Sequence, residues 1–136
     1  MFPPSTRILI LDDMPTIREM VRTNLKNMGF TNIWEAEDGT EGLKILQSMQ
    51  TAGTPIRLVI SDWNMPKMKG IDLLRMVRGM DGGADLPFLL LTSESERDQV
   101  TEAVIAGVSQ YIVKPFSPKT LDEKLKAAWQ KHNPGK

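Results

Sequence analysis

Leu58-Val59-Ile60-Ser61-Asp62-Trp63-Asn64-Met65-Pro66 is the stretch whose reading decides the fold. A short apolar run that ends in a turn reads as a buried strand. Leu58 to Ser61 is therefore expected to form one, with Asp62 where it leaves the sheet. In open parallel α/β sheets, ligand chemistry gathers at the carboxyl ends of the strands. Asp is also a common turn residue after a strand, so the stretch alone leaves a site and a plain turn about equally open.

The same unit repeats on either side. Ile8-Leu9-Ile10-Leu11 is a continuous apolar run ending in Asp12-Asp13, and reads as a strand buried on both faces. Pro15 suits the first turn of a helix. Ile17, Met20, Val21, Leu25 and Met28 continue it at helical spacing, and Gly29 stops it. Ile33-Trp34 with Ala36 makes a second short strand and Asp38-Gly39 a turn. Leu43, Leu46 and Met49 mark a second helix, broken at Thr51-Ala52-Gly53-Thr54-Pro55.

Beyond Asp62, Gly70 relieves the loop, and Leu73, Leu74, Val77 and Met80 line a third helix. Phe88-Leu89-Leu90-Leu91 is a fourth strand ending in Thr92-Ser93. Ser93 to Glu96 and Ser95 to Asp98 have capping-box spacing. Val100, Ala103, Val104 and Gly107 are expected on one face of the helix that follows. Tyr111-Ile112-Val113 is the fifth strand and ends in Lys114-Pro115. Ser117 with Pro118 opens a last helix whose core face is Leu121, Leu125, Ala128 and Trp129.

Five βα units in succession predict an α/β domain, a doubly wound five-stranded parallel sheet with helices on both faces. The common order for five strands, 2-1-3-4-5, sets strands 1 and 3 side by side. A chain of 136 residues fits one such domain. Residues 1–6 read as a mobile N-terminal tail, 7–132 as the domain and 133–136 as a C-terminal tail. Seventeen basic against seventeen acidic residues give zero net charge, which argues against a nucleic-acid binder driven by bulk charge. With no cysteine, disulfides, thiol catalysis and thiolate metal sites are excluded. No apolar run reaches membrane-span or signal-peptide length, so a cytoplasmic protein without membrane contact is expected.

The predicted topology collects Asp12, Asp13, Asp62, Thr92, Ser93 and Lys114 on one rim of the sheet. Three carboxylates at one place repel and need a cation. Oxygen-only donors, with no His or Cys beside them, point to Mg²⁺ or a similar hard ion. Lys114 offsets part of the charge, and the Thr92 hydroxyl supplies a hydrogen bond. Together these groups make a receptor for a tetrahedral anion beside a carboxylate. That suits phosphoryl transfer to Asp62, in which positioning and charge neutralisation dominate.

Each residue also has a plainer reading. Asp12 or Asp13 fits a helix N-cap, Thr92 a β-branched strand residue and Lys114 a solvated lysine. Tyr111 fits a core ring with its hydroxyl at the surface, and Trp63 a partly exposed hydrophobe. His132 fits a solvated residue that complements the dipole at the end of the last helix.

The joint order of Asp12-Asp13, Asp62-Trp63-Asn64-Met65-Pro66, Gly70, Thr92, Tyr111 and Lys114-Pro115-Phe116 resembles the receiver domain of two-component response regulators. The Asp-Trp-Asn-Met-Pro run resembles the single-domain chemotaxis branch in particular. The resemblance covers nearly the whole chain and implies the flavodoxin-like receiver fold. It implies Asp62 as phosphoacceptor, with Mg²⁺ held by Asp13, Asp62 and the Asn64 backbone carbonyl, and by Asp12 through a bound water. Lys114 and Thr92 would contact the phosphoryl oxygens. Lys114-Pro115 would be cis, Tyr111 would turn with Thr92 as a switch, and Asn64 and Glu94 would tune the phosphate lifetime.

The same resemblance implies a phosphorylation-activated monomeric switch and not an enzyme in its own right. Its donor would be a histidine kinase and its target a flagellar motor switch protein, met through Arg97, Val100, Val104, Tyr111, Val113 and Lys124. Glu96 departs from the basic residue usual in close chemotaxis relatives. It leaves open a non-flagellar receiver, a phosphorelay intermediate or a phosphate sink.

Three rival functions fit less well. An Asp-nucleophile phosphohydrolase needs an acid two residues on, where Asn64 stands. A nucleotide or flavin binder needs a phosphate loop after strand 1, where Asp12-Asp13 would repel a phosphate. A DNA-binding regulator needs a helix-turn-helix, and the residues after the fifth helix leave no room for one.

Overall fold

In the computed structural model, which describes residues 1–93 and 99–134, apolar side chains alternate between the two faces of the central strands. The strands are β1 (Arg7–Leu11), β2 (Asn32–Ala36), β3 (Leu58–Asp62), β4 (Phe88–Thr92) and β5 (Gln110–Val113). Between and after them lie α1 (Pro15–Asn27), α2 (Gly39–Thr51), α3 (Gly70–Arg78), α4 (Val100–Ala106) and α5 (Pro118–His132). All pairings are parallel and the order is β2-β1-β3-β4-β5, as the repeated units predict.

Ile8, Ile10, Leu58, Ile60, Leu89, Leu91 and Ile112 pack on Val21 and Leu25 of α1 and on Leu121, Leu125 and Ala128 of α5. Leu9, Leu11, Val59, Phe88 and Leu90 face Leu46 of α2, Leu73, Leu74 and Val77 of α3, and Ala103 of α4. Side chains alternate at period two, so a strand covered on both faces must be apolar at every position. This is why β1, β3 and β4 are legible as unbroken apolar runs.

Several boundaries have local causes. Asp38, expected in a turn, is the N-cap of α2: its Oδ1 accepts from Glu41 N–H at 2.8 Å. Ser117 caps α5 as predicted, accepting from Thr120 N–H at 3.1 Å. Neither Asp12 nor Asp13 caps α1; the N-cap residue is Met14, without a side-chain bond, and Pro15 follows. The capping-box spacings at Ser93-Glu96 and Ser95-Asp98 extend beyond the described residues.

Three expectations are corrected. The α4 face expected to carry Val100, Ala103, Val104 and Gly107 is not uniformly buried: Ala103 is buried, Val104 is 63% exposed, and Gly107 is the C-cap at φ +94°. Residues 1–6 do not hang free. Phe2 is buried and meets Trp129 edge-on, ring centroids 5.1 Å apart, because α5 offers an apolar face that shields the ring from water. His132 is partly buried and not fully solvated. Its Nε2 lies 2.7 Å from Ser109 Oγ at the start of β5, on the edge of the sheet away from Lys114. Burial there, with the Arg78 and Lys131 charges, lowers its pKa and opposes the dipole-complementing cation.

Candidate functional site

β1, β3, β4 and β5 run in one direction, so Asp12, Asp62, Thr92 and Lys114 leave the sheet at the same edge. Carboxylate oxygens of Asp12, Asp13 and Asp62 lie within 4.8 Å of one another. Asp12 is fully buried, Asp62 is 8% exposed and Asp13 is open to solvent. A buried carboxylate beside two others is stable only with compensating charge or hydrogen bonds.

Part of that compensation comes from Lys114. Its Nζ is 2.9 Å from Asp62 Oδ1 and 3.2 Å from Asp12 Oδ2. Backbone donors supply more: Met14 N–H reaches Asp12 Oδ1, and Trp63 N–H reaches Asp62 Oδ1, each at 2.9 Å. Burial pulls the Lys114 pKa down, yet the two carboxylates outweigh it and hold the ammonium protonated. Burial pushes Asp62 up from 3.8 to about 6, with the Asp12 charge adding to the rise and Lys114 opposing it. Asp62 is thus ionised at neutral pH while remaining a stronger base than an ordinary carboxylate.

The oxygen set fits a hard divalent cation. Three carboxylates face one positive side chain, one of the three is accessible, and no softer donor stands among them. Asn64 follows in the exposed loop after β3. That loop is pressed against the strand end. A Cβ on Gly70 would run into the Asp62 carbonyl oxygen, and Gly70 N–H donates to Trp63 O at 2.9 Å, so α3 starts where only glycine fits. Trp63 is 2% exposed, so it belongs to the core and not to a partly exposed rim.

Thr92 ends β4 with its Oγ1 buried and without a hydrogen-bond partner among the described residues. Its carbonyl accepts from Lys114 N–H at 2.7 Å, which ties the two strand ends together. The Lys114-Pro115 bond is cis, as expected. Tyr111 is half-buried, with Lys124 Nζ 5.0 Å from its ring centroid. Val104 is exposed, and Val100 and Val113 are half-buried. Arg97 and Glu94 lie outside the described residues.

Residues 8–126 match the family described as the response regulator receiver domain. The chain belongs to that family. The receiver domain is 44% identical over 127 residues to the chemotaxis protein CheY of Pseudomonas aeruginosa, covering 93% of this chain and 98% of that one. It is 45% identical over 119 residues to CheY-3 of Vibrio cholerae, covering 88% of each. Among solved structures it resembles the chemotaxis response regulator CheY4 of Vibrio cholerae, with TM-score 0.81, 32% identity, and 91% of this chain and 98% of that chain covered. A receiver domain from Clostridium thermocellum gives TM-score 0.79 at 28% identity, with 93% and 95% covered.

One residue of the receiver domain's site carries no sequence signal. Arg18, on α1, donates from Nη1 to the Asp12 carbonyl at 2.6 Å. An arginine at a helix position otherwise reads as a solvated cation, and only the packing of α1 on β1 reveals the contact.

Proposed function

We propose that this receiver domain is a phosphorylation-activated switch that accepts a phosphoryl group on Asp62 with Mg²⁺ bound. The observation that carries the reading is the Lys114 ammonium 2.9 Å from Asp62 Oδ1, with the accessible Asp13 carboxylate beside them. Asp12, Asp13, Asp62 and the Asn64 backbone carbonyl would hold the ion. When bound, Mg²⁺ supplies charge neutralisation for the incoming phosphoryl oxygens.

The chain's own residues do the rest. An Asp62 carboxylate oxygen attacks phosphorus, the bond from phosphorus to the donor's histidine nitrogen breaks, and that nitrogen keeps the electron pair. Lys114 then pairs with the transferred phosphoryl oxygens. Thr92, whose hydroxyl has no partner among the described residues, donates one hydrogen bond to them. Movement of Thr92 opens space toward Tyr111, and the face formed by Val100, Val104, Tyr111, Val113 and Lys124 changes shape. The family resemblance adds Arg97 to the partner-binding residues, and Asn64 and Glu94 govern how long the phosphoryl group lasts. The domain acts as a switch, its only chemistry being acceptance and loss of its own phosphoryl group.

The similarity to chemotaxis proteins from two organisms supports a histidine kinase as donor and a flagellar motor switch protein as target, in the cytoplasm. Transfer from a phosphorylated kinase domain to wild type and to Asp62→Asn tests the first part. Titration of a motor switch peptide with and without phosphorylation tests the second. Affinity that rises on phosphorylation supports motor output. Unchanged affinity moves the protein to a non-flagellar pathway, a phosphorelay or a phosphate sink.

A further inference from the structure

We propose that Arg18 is a positioning residue for the acidic pocket: it fixes the peptide joining Asp12 to Asp13, so that the two carboxylates address one cation. The inference rests on the Mg²⁺-dependent reading above. Asp12 N–H still donates to Ala36 O of β2, at 3.2 Å, and β2 ends there. The Asp12 carbonyl is the next polar group of the chain. Arg18 Nη1 takes it at 2.6 Å, in place of a further strand partner.

Arg18 is itself held. Its Nε is 3.2 Å from Glu35 Oε1 on β2, and Arg22 Nη1 holds Glu35 Oε2. The Arg18 side chain is 13% exposed, a low value for arginine. The clamp thus runs from β2 through Glu35 and Arg18 to the end of β1. A peptide unit is planar, so holding the Asp12 carbonyl also fixes where the Asp13 N–H and Cα stand. The Asp12 carboxylate is already pinned by Met14 N–H and Lys114. Asp13 has solvent on its outer side, and its placement depends on this peptide. A guanidinium suits the task because its rigid fork serves two acceptors in one plane, whereas lysine is a point donor.

Charge and position predict opposite results. As charge alone, Arg18 repels a cation from the pocket, and its removal strengthens Mg²⁺ binding. As a clamp, its removal weakens binding. Groups that orient metal ligands typically change metal affinity by roughly 10–100-fold.

The test is a calorimetric Mg²⁺ titration of wild type, Arg18→Lys, Arg18→Gln and Glu35→Gln, with metal-free unfolding followed by circular dichroism. Both Arg18 variants are expected to bind about 10-fold more weakly, although Arg18→Lys keeps the charge. Glu35→Gln keeps Arg18 and releases only its anchor; a smaller loss in the same direction is expected. If the Arg18 variants fail to fold, Glu35→Gln decides alone, and an unchanged affinity there overturns the proposal. Arg18→Lys binding like wild type while Arg18→Gln binds more tightly also overturns it. Wild type that binds no Mg²⁺ removes the phosphoacceptor reading, and the proposal with it.

Discussion

Lys114 Nζ lies 2.9 Å from Asp62 Oδ1, across two adjacent pairs of strands and 52 residues of chain. The same nitrogen is 3.2 Å from the fully buried Asp12. One ammonium therefore holds together two carboxylates that would otherwise repel. Lys114→Ala is expected to destabilise the metal-free protein by about 3 kcal/mol, as removal of one partner from a buried pair does. Added Mg²⁺ should recover part of the loss. Urea unfolding at pH 8, with and without Mg²⁺, checks both. A variant as stable as wild type without metal would contradict the pairing.

Asp62 makes stability depend on pH. Its folded pKa of about 6 lies above the ordinary 3.8, so the folded state binds this proton more tightly than the unfolded state. The ionised form thus weakens the fold above about pH 6, and the penalty fades as pH falls toward 3.8. Asp62→Asn should be more stable than wild type at pH 8 without metal, by on the order of 2 kcal/mol. The difference should shrink between pH 6 and 4. Thermal melts of both proteins across that range provide the measurement.

Mg²⁺ should raise the melting temperature, since a ligand at 100 times its dissociation constant adds about 2.7 kcal/mol. Protons compete for Asp62, so the effect should weaken as pH drops below about 6. Asp13 is exposed, so Asp13→Asn should leave metal-free stability nearly unchanged and abolish most of the Mg²⁺ effect. Differential scanning calorimetry of the two proteins separates these contributions.

Thr92 offers a case where stability and signalling part company. Its buried Oγ1 has no partner among the described residues, and such a group costs about 1–3 kcal/mol. Thr92→Val keeps the shape and removes the hydroxyl. The variant should equal or exceed wild type in urea midpoint, yet show a smaller gain in target affinity on phosphorylation. A destabilised variant would mean that the hydroxyl is already satisfied.

The apolar runs of β1, β3 and β4 made the fold legible because both faces of those strands are covered. The site was legible for the related reason that Asp12 and Thr92 directly follow such a run, Asp62 follows one after Ser61, and Lys114 follows the edge strand β5. Contacts that depend on how helices pack left no local mark. Arg18 reaches the Asp12 carbonyl, and His132 reaches Ser109 across 23 residues, through tertiary placement alone. Val104 and Ile105 point outward because α4 buries only Ala103, a distinction that helical spacing of small residues does not make. Asp38 carried a readable signal, Asp followed three residues later by Glu41, but Gly39 made a turn the simpler reading.

The most direct test of the central claim is the intact mass of wild type and Asp62→Asn after incubation with a small-molecule phosphodonor, with and without Mg²⁺. One phosphoryl group gained by wild type, only with Mg²⁺, lost again with time and absent from the variant, is the expected result. Mg²⁺ binding without any phosphoryl gain in wild type would contradict it, and would leave a receiver fold that serves as a fixed scaffold.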